Sequence, residues 1–201
     1  LTDGRLIVID AGAETNSNYC SDFTRTIPSS GKFTTRQKEI YDIVAAANNH
    51  VIEISRPGIS YTDVHLSMAR IMAQGLKDLN ILKGDVDEIV ANGAQALMMP
   101  HGLGHNMGMD VHDMEDLGEN YVGYDENYKR STQFGLGSLR MGKMLEKGHV
   151  ITDEPGIYFI PALIDDWRKS GHCAEFLNFD MLETYKDFGG IRIEDDVLII
   201  S

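Results

Sequence analysis

Hydrophobic residues at the start of the chain form a short and nearly continuous run. The segment 5–11 is apolar between its first residue and Asp10, which predicts a buried β-strand. Residues 16–18 have the composition of a turn, and the segment 21–26 predicts the return strand of a hairpin. Asp10 and Asp22 are then expected to face each other across this hairpin.

Helical spacing of apolar residues follows the hairpin. From Thr35 onward they recur three or four positions apart until Pro57-Gly58 ends the pattern, which predicts a long helix. Ser60 is a typical cap for a second helix, and a third is predicted after Gly84, where acidic residues occupy the first turn. These helices are expected to cover a sheet as its scaffold.

The second half of the chain is less regular. The stretch 114–144 is polar and rich in glycine without a sustained period, so we predict a long surface loop. Strands are predicted at 149–154, at about 157–162 and at 190–200, with a polar excursion around 165–172. The order of strand pair, helices and further strands predicts an α+β fold with an antiparallel sheet.

Composition favours one domain over residues 1–201, because 42% hydrophobic content can supply a sizeable core. The 18 basic and 31 acidic residues leave a formal charge of −13, which repels nucleic acid and anionic membranes and favours cations. Cys20 and Cys173 suggest neither a disulfide framework nor a thiolate metal site. With no apolar run long enough for a membrane span or signal peptide, a soluble, cytoplasmic protein is predicted.

Five acid or imidazole side chains stand in separate, distinctive stretches that read IDAG, SDFTRT, HGLGH, TDEPG and RIEDD. They form a ligand set for two divalent metals, in which four carboxylates and one imidazole favour manganese over cobalt or zinc. Two such ions can share a water and polarise a carbonyl, which predicts a binuclear hydrolase. The five predicted metal ligands are Asp10, Asp22, His105, Glu154 and Glu194.

Each acid taken alone also has an ordinary explanation. Asp10 could begin a turn, and Asp22 could pair with Arg25 on an exposed strand. Glu154 could be a turn residue before Pro-Gly, and Glu194 could belong to a solvated acidic cluster. The segment HGLGHNMGMDVHD is harder to explain in this way, because three histidines fall within twelve residues among glycines that allow close backbone approach.

Taken together, these motifs resemble the catalytic domain of proline-specific metallopeptidases with the pita-bread fold, the aminopeptidase P and prolidase group. The resemblance spans essentially the whole chain, and GKFT at 31–34, GLGSLR at 135–140 and FGGIRIEDDV at 188–197 are most similar to the prolidase branch. It implies a curved antiparallel sheet covered by helices and hydrolysis of the Xaa-Pro bond in small proline-containing peptides. A dipeptidase is preferred over an aminopeptidase acting on longer peptides.

Two other activities remain as alternatives at this stage. A methionine aminopeptidase is disfavoured by the motif around His112 and by the long loop after it. A metal-free pita-bread module that recognises a partner would be expected to show a broken ligand position, and here all five positions are intact.

The resemblance also implies roles for the predicted ligands. Asp10 would bind one metal, Asp22 and Glu194 would bridge both, and His105 with Glu154 would complete the other. Glu154 would also serve as general base or proton shuttle.

Four further residues gain roles in the same way. His101 and His112 resemble substrate-binding imidazoles that stabilise the oxyanion or the leaving nitrogen. Arg192, two residues from Glu194 on the same strand face, would orient ligands from behind. Arg140 aligns with the arginine that holds the free carboxylate of a dipeptide, with a flexible surface cation as the alternative.

Two departures from the family pattern affect these expectations. Asp22 lies twelve positions after Asp10 where the interval in the family is usually eleven, which predicts a bulge or a longer turn. The family's catalytic domain also has helices, a hairpin and a further histidine before the first strand. We therefore expect this chain to be part of a longer protein that needs this N-terminal part and that forms a homodimer.

Overall fold

In the computed structural model, which describes residues 4–200, the chain opens with an antiparallel hairpin. Its strands are β1 (Leu6–Ala11) and β2 (Phe23–Pro28). The predicted burial of β1 is wrong, because Val8 and Ile9 are 41% and 46% exposed. The helix that follows the hairpin packs on strands from the C-terminal part of the chain and does not cover β1. In β2, alternate residues are buried.

The turn of the hairpin absorbs the extra residue between the two aspartates. Asp10 lies opposite Thr24, and the bridge between Glu14 and Cys20 continues the same register toward the tip. No bulge is therefore needed in this part of the hairpin, and the longer turn is the correct alternative. Asn18 adopts a left-handed conformation with φ of 65°, which asparagine tolerates better than most residues.

The three predicted helices are confirmed as α1 (Thr35–Ile54), α2 (Tyr61–Asp78) and α3 (Val86–Asn92). Ser60 caps α2 and Asp85 caps α3, while Thr34 and Gln37 form a reciprocal capping box at the start of α1. The buried faces of α1 and α2 supply much of the core, and α1 packs on the strands that carry the candidate site.

The predicted surface loop at 114–144 is only partly correct. It contains the short helix α4 (Glu119–Val122), and Tyr124, Leu139 and Met141 are buried in it. Tyr124 anchors the segment by donating its hydroxyl hydrogen to the carbonyl of Leu139, at 2.6 Å. Isolated apolar residues without a period gave no sign of this burial.

The C-terminal third contains two helices that the periodicity did not predict. The elements are β3 (Val150–Asp153), β4 (Gly156–Tyr158), α5 (Pro161–Ser170), α6 (Phe179–Glu183), β5 (Gly190–Arg192) and β6 (Asp195–Leu198). The polar excursion predicted at 165–172 is wrong, because most of it belongs to α5, whose buried side consists of Ile164 and Trp167. The single strand predicted at 190–200 is divided into β5 and β6.

The strands pair β3 with β6 and β4 with β5, both antiparallel. A bridge between Thr24 and Glu194 joins the hairpin to this layer, and a bridge between Asn106 and Ile151 brings the histidine-rich segment beside β3. The predicted α+β arrangement is therefore confirmed, with acidic strand ends converging from distant parts of the sequence. Among the residues described, no helix has the length and apolar character needed to cross a membrane.

Candidate metal centre and adjoining cavity

Three of the predicted ligands form a compact group at the junction of the strands. Possible ligand atoms of Asp22, His105 and Glu194 all lie within 4.8 Å of one another. His105 and Glu194 are only 3% and 2% exposed. Glu154 adjoins the group, because its Oε1 lies 3.8 Å from the His105 Nε2.

Asp10 lies at the margin of this group. Its carboxylate accepts a hydrogen bond from the Nη2 of Arg192 and is more exposed than the other acids. Burial, followed by the negative charge of Asp10 and a hydrogen bond to it, raises the pKa of Asp22. Asp10 therefore interacts with the group electrostatically and through Arg192, although the compact set of three does not include it.

The ring of His105 is oriented by the backbone. Its Nδ1 donates to the carbonyl of Asn106 at 3.0 Å, which leaves the lone pair of Nε2 directed toward Asp22 at 3.6 Å. Burial lowers the pKa of His105 to about 4. The ring is neutral near pH 7, so its Nε2 carries no proton that could be donated to the nearby carboxylates. The lone pair of Nε2 is therefore available to bind a cation.

Glycine and strand pairing set the position of His105. The amide of His105 donates to the Thr152 hydroxyl at 3.0 Å, and the amide of Thr152 donates to the His105 carbonyl at 3.0 Å. A Cβ on Gly104 would lie 2.1 Å from the carbonyl oxygen of Thr152. Only glycine allows this close approach, which explains the glycine directly before His105.

The buried carboxylates repel one another. Burial, then the charge of Glu194, raises the pKa of Glu154 to about 8. Burial also raises the pKa of Glu194 to about 7, against the lowering effect of a hydrogen bond from Thr24. Because the negative charges of these carboxylates are not fully balanced by neighbouring positive charges, the group attracts cations. Its oxygen-rich donor set fits hard or borderline divalent metals.

Arg192 and Thr24 connect the acids from one side. The Nε of Arg192 donates to the Thr24 hydroxyl at 3.1 Å, and that hydroxyl donates to the Glu194 Oε2 at 2.5 Å. The same guanidinium contacts Asp10 and lies 3.5 Å from Glu194. Arg192 therefore contacts two predicted ligands, and its role in orienting them stays a prediction. Thr24 was not identified as a site residue from the sequence.

A cavity of about 290 Å³ opens beside the cluster. It contains the side chains for which the sequence predicted substrate contacts, together with two of the predicted metal ligands. The lining residues are His101, Gly102, Gly104, His105, His112, Ser138, Arg140, Glu154 and Arg192.

The two histidines predicted to bind substrate differ in their surroundings. His101 donates from Nδ1 to the carbonyl of Gly102 at 2.7 Å, so its Nε2 accepts from the Tyr158 hydroxyl at 3.2 Å. Burial lowers the pKa of His101. His112 is exposed and packs edge-on against His105, with 4.4 Å between ring centroids. Tyr158 was missed by the sequence analysis, and it also accepts from Arg192 at 3.4 Å.

Arg140 lines the cavity but is already engaged. Its Nη1 lies 2.5 Å from the Oε2 of Glu115, an acid that the sequence analysis did not single out. Arg140 is therefore held in an ion pair beside the cavity, and its assignment to a substrate carboxylate stays a prediction. Sequence spacing gave no indication of this pair, because it joins two parts of an irregular segment.

The surroundings of Asp22 and Glu194 differ from those of ordinary exposed acids. Arg25 contacts Asp195 at 2.5 Å, and the described partners of its side chain do not include Asp22. The backbone amide of Asp22 donates instead to the carboxylate of Asp196. Glu194 is buried, unlike the members of a solvated acidic cluster.

Known proteins resemble the chain over nearly its full length. It is 42% identical over 198 residues to a probable Xaa-Pro aminopeptidase of Sclerotinia sclerotiorum, covering 98% of the chain and 34% of that protein. It is 40% identical to the human Xaa-Pro dipeptidase, covering 99% of the chain and 39% of that protein. The chain thus spans between a third and two fifths of the length of these relatives.

Solved structures show the same fold. Proline aminopeptidase P II from Yersinia pestis superimposes with a TM-score of 0.73 at 38% identity, over 100% of this chain and 37% of that one. Aminopeptidase P of Escherichia coli gives a TM-score of 0.72 at 38% identity, over 98% of this chain and 36% of that one. This match confirms the predicted pita-bread fold. Since the model of metallopeptidase family M24 also matches residues 1–201, the chain belongs to that family.

Proposed function

We propose that the protein containing this chain is an Xaa-Pro peptidase that uses two divalent metal ions, with manganese as the preferred metal, and acts on small proline-containing peptides. The observation that carries the proposal is the convergence of Asp22, His105, Glu154 and Glu194 beside a cavity lined by further histidines and arginines. Membership of a metallopeptidase family supports this interpretation.

The donor set supports the choice of metal and the roles of the ligands. Asp10 would hold one ion, Asp22 and Glu194 would bridge both, and His105 with Glu154 would hold the other. Oxygen donors with one imidazole suit manganese, with cobalt and zinc as the other candidates. When bound, the ions would supply an activated water and Lewis-acid polarisation of the scissile carbonyl.

The position of Glu154 supports a role in proton transfer. It adjoins the cluster and also lines the cavity, so its carboxylate lies between the metal ligands and the space for substrate. We assign it as the base that takes the proton of the attacking water and passes it to the departing proline nitrogen. The hydroxyl of Thr152 lies 3.4 Å from its Oε1 and helps to orient the carboxylate.

The positions of the two cavity histidines support a role in binding the reacting amide. His101 is held by Gly102 and Tyr158, and His112 packs against His105, so neither ring needs a large movement to meet a ligand in the cavity. We assign them to the carbonyl oxygen and the leaving nitrogen of the scissile bond. In the geometry described, the Nε2 of His101 accepts a hydrogen bond, so His101 would donate to the amide only in its protonated form and with the Tyr158 hydroxyl turned away. A hydrogen-bond donor at either position would stabilise charge that develops in the transition state.

Arg140 distinguishes the dipeptidase from the aminopeptidase. A guanidinium beside the cavity can bind the free carboxylate of an Xaa-Pro dipeptide through two parallel hydrogen bonds. A longer peptide has an amide at the same place and gains no such interaction. We therefore propose dipeptidase activity first, with aminopeptidase activity on longer peptides as the alternative.

The test is hydrolysis of Gly-Pro and of Gly-Pro-Gly by the full-length protein with manganese. Faster hydrolysis of Gly-Pro supports the dipeptidase, and Arg140→Ala should then raise KM for Gly-Pro strongly while leaving Gly-Pro-Gly unchanged. Preferential hydrolysis of Gly-Pro-Gly favours the aminopeptidase. Absence of hydrolysis of both peptides contradicts a peptidase function and favours a non-catalytic module.

A further inference from the structure

The arginine assigned to the substrate carboxylate already contacts a carboxylate of its own chain. The Nη1 of Arg140 donates to the Oε2 of Glu115 at 2.5 Å. The Glu115 side chain is 13% exposed and that of Arg140 is 37% exposed, so the acid is sheltered while the arginine stays accessible from the solvent. The carboxylate of Glu115 can therefore compete with the carboxylate of a bound peptide for Arg140.

The backbone places Glu115 close to the cavity. Its amide donates to the carbonyl of His112 at 3.3 Å, and Met114 between them adopts a left-handed conformation with φ of 60°. This sharp turn sends the chain directly from a cavity histidine to the acid that contacts Arg140. The position of Glu115 is thus tied to the same segment that forms the wall of the cavity.

We propose that Glu115 determines specificity by competing with the free carboxylate of a dipeptide for Arg140. This inference rests on the proposed function. A guanidinium binds a carboxylate best through two adjacent N–H groups, and Glu115 occupies one nitrogen of that fork. Its negative charge also opposes the approach of a second carboxylate. Glu115 therefore weakens the binding of dipeptides and reduces their advantage over peptides that extend beyond proline.

The chain offers a matched control for this pair. Glu119 lies four residues further along the same segment and contacts the Nη1 of Arg130 at 2.5 Å. Arg130 is absent from the residues that line the cavity described here. Removing the charge of Glu119 therefore changes a similar ion pair without changing the arginine assigned to substrate.

The experiment compares Gly-Pro with Gly-Pro amide, which differ in the carboxylate, in the full-length protein with manganese. Glu115→Gln is expected to lower KM for Gly-Pro about fivefold, in line with a moderate ion-pair contribution, and to leave KM for the amide unchanged. The kcat values should stay the same. Glu119→Gln should change neither peptide, and the gain should vanish when Glu115→Gln is combined with Arg140→Ala.

The inference is overturned if Glu115→Gln changes KM equally for Gly-Pro and its amide, or changes neither. A raised KM for Gly-Pro also overturns it, because Glu115 would then help Arg140 to bind the substrate carboxylate. Calorimetry on metal-depleted protein separates this result from the proposed function. Tighter binding of Gly-Pro to the Glu115→Gln variant without hydrolysis by the metal-loaded protein supports the role of Glu115 and refutes the peptidase proposal. Unchanged binding of Gly-Pro overturns the role of Glu115 whether or not hydrolysis occurs.

Discussion

Replacement of Thr24 by valine is expected to weaken metal binding although Thr24 is not itself a proposed ligand. Thr24 is fully buried, and its hydroxyl joins Arg192 to Glu194. Valine keeps the shape of threonine but removes the hydroxyl. Glu194 then loses the donor that fixes its carboxylate, and the Nε of Arg192 loses its acceptor.

The expected magnitude follows from the two hydrogen bonds. The bond from Thr24 to Glu194 is short, at 2.5 Å, and its acceptor belongs to an acid that is 2% exposed. Hydrogen bonds to charged groups contribute about 1.5–3 kcal/mol, and loss of a partner that orients a metal ligand typically lowers affinity roughly 10- to 100-fold. We therefore expect Thr24→Val to weaken manganese binding by at least about tenfold.

The assay is calorimetric titration of the metal-depleted protein with manganese, and Thr26→Val is the matched control. Thr26 lies on the same strand and is equally buried, but its hydroxyl donates to the backbone carbonyl of Arg192 and accepts from its amide. Its loss should reduce stability with little effect on affinity. Equal manganese affinity in Thr24→Val and wild type, or an equal loss in both variants, would refute the reasoning.

Three further predictions concern the support of the cluster. Asn48→Ala should reduce the free energy of unfolding by about 1–3 kcal/mol, because the Asn48 amide donates to the buried Asp153 at 3.0 Å and to Asp195 at 3.3 Å. An unchanged midpoint in urea denaturation would contradict this. Gly104→Ala should destabilise the protein by about 1–3 kcal/mol and weaken manganese binding, because the alanine Cβ would collide with the carbonyl of Thr152. Wild-type manganese affinity of this variant in calorimetry would contradict the prediction. In the metal-depleted protein the pKa of Glu154 is raised to about 8 and that of Glu194 to about 7, so the folded state retains protons that the unfolded chain releases near pH 4.5. Its stability should therefore fall, by on the order of 4 kcal/mol, as the pH rises from 6 to 8. A thermal denaturation midpoint that stays level or rises across this range would count against the raised pKa values.

Elements with a long repeating pattern were predictable from the sequence, and short ones were not. The twenty residues of α1 repeat their apolar spacing over several turns, and its capping box marks the start. By contrast, α5 has ten residues and two buried apolar side chains, too few to define a period. The exposure of β1 was missed because an apolar run shows a strand but not whether a second layer covers it.

The residues of the candidate site were likewise predictable only where a distinctive local motif contains them. Residues in distinctive short motifs, such as His105 and Glu194, were identified before their proximity was known, and their roles as ligands remain predictions. Thr24 could have been found, since it lies two residues after Asp22 near the start of β2, and residues two apart in extended chain point to the same side. The contact of Glu115 with Arg140 depends on the irregular path of the segment between them, which local patterns do not specify.

The central claim is that five side chains from distant parts of the sequence hold two divalent ions. Equilibrium binding of manganese to the full-length protein, measured by calorimetry and by metal analysis after dialysis, tests it most directly. The account predicts two equivalents per chain for wild type, and loss of both when Asp22→Asn and Glu194→Gln are combined, because these acids are the proposed bridges. Binding of less than one equivalent at saturating manganese, or two equivalents retained by the double variant, would contradict it.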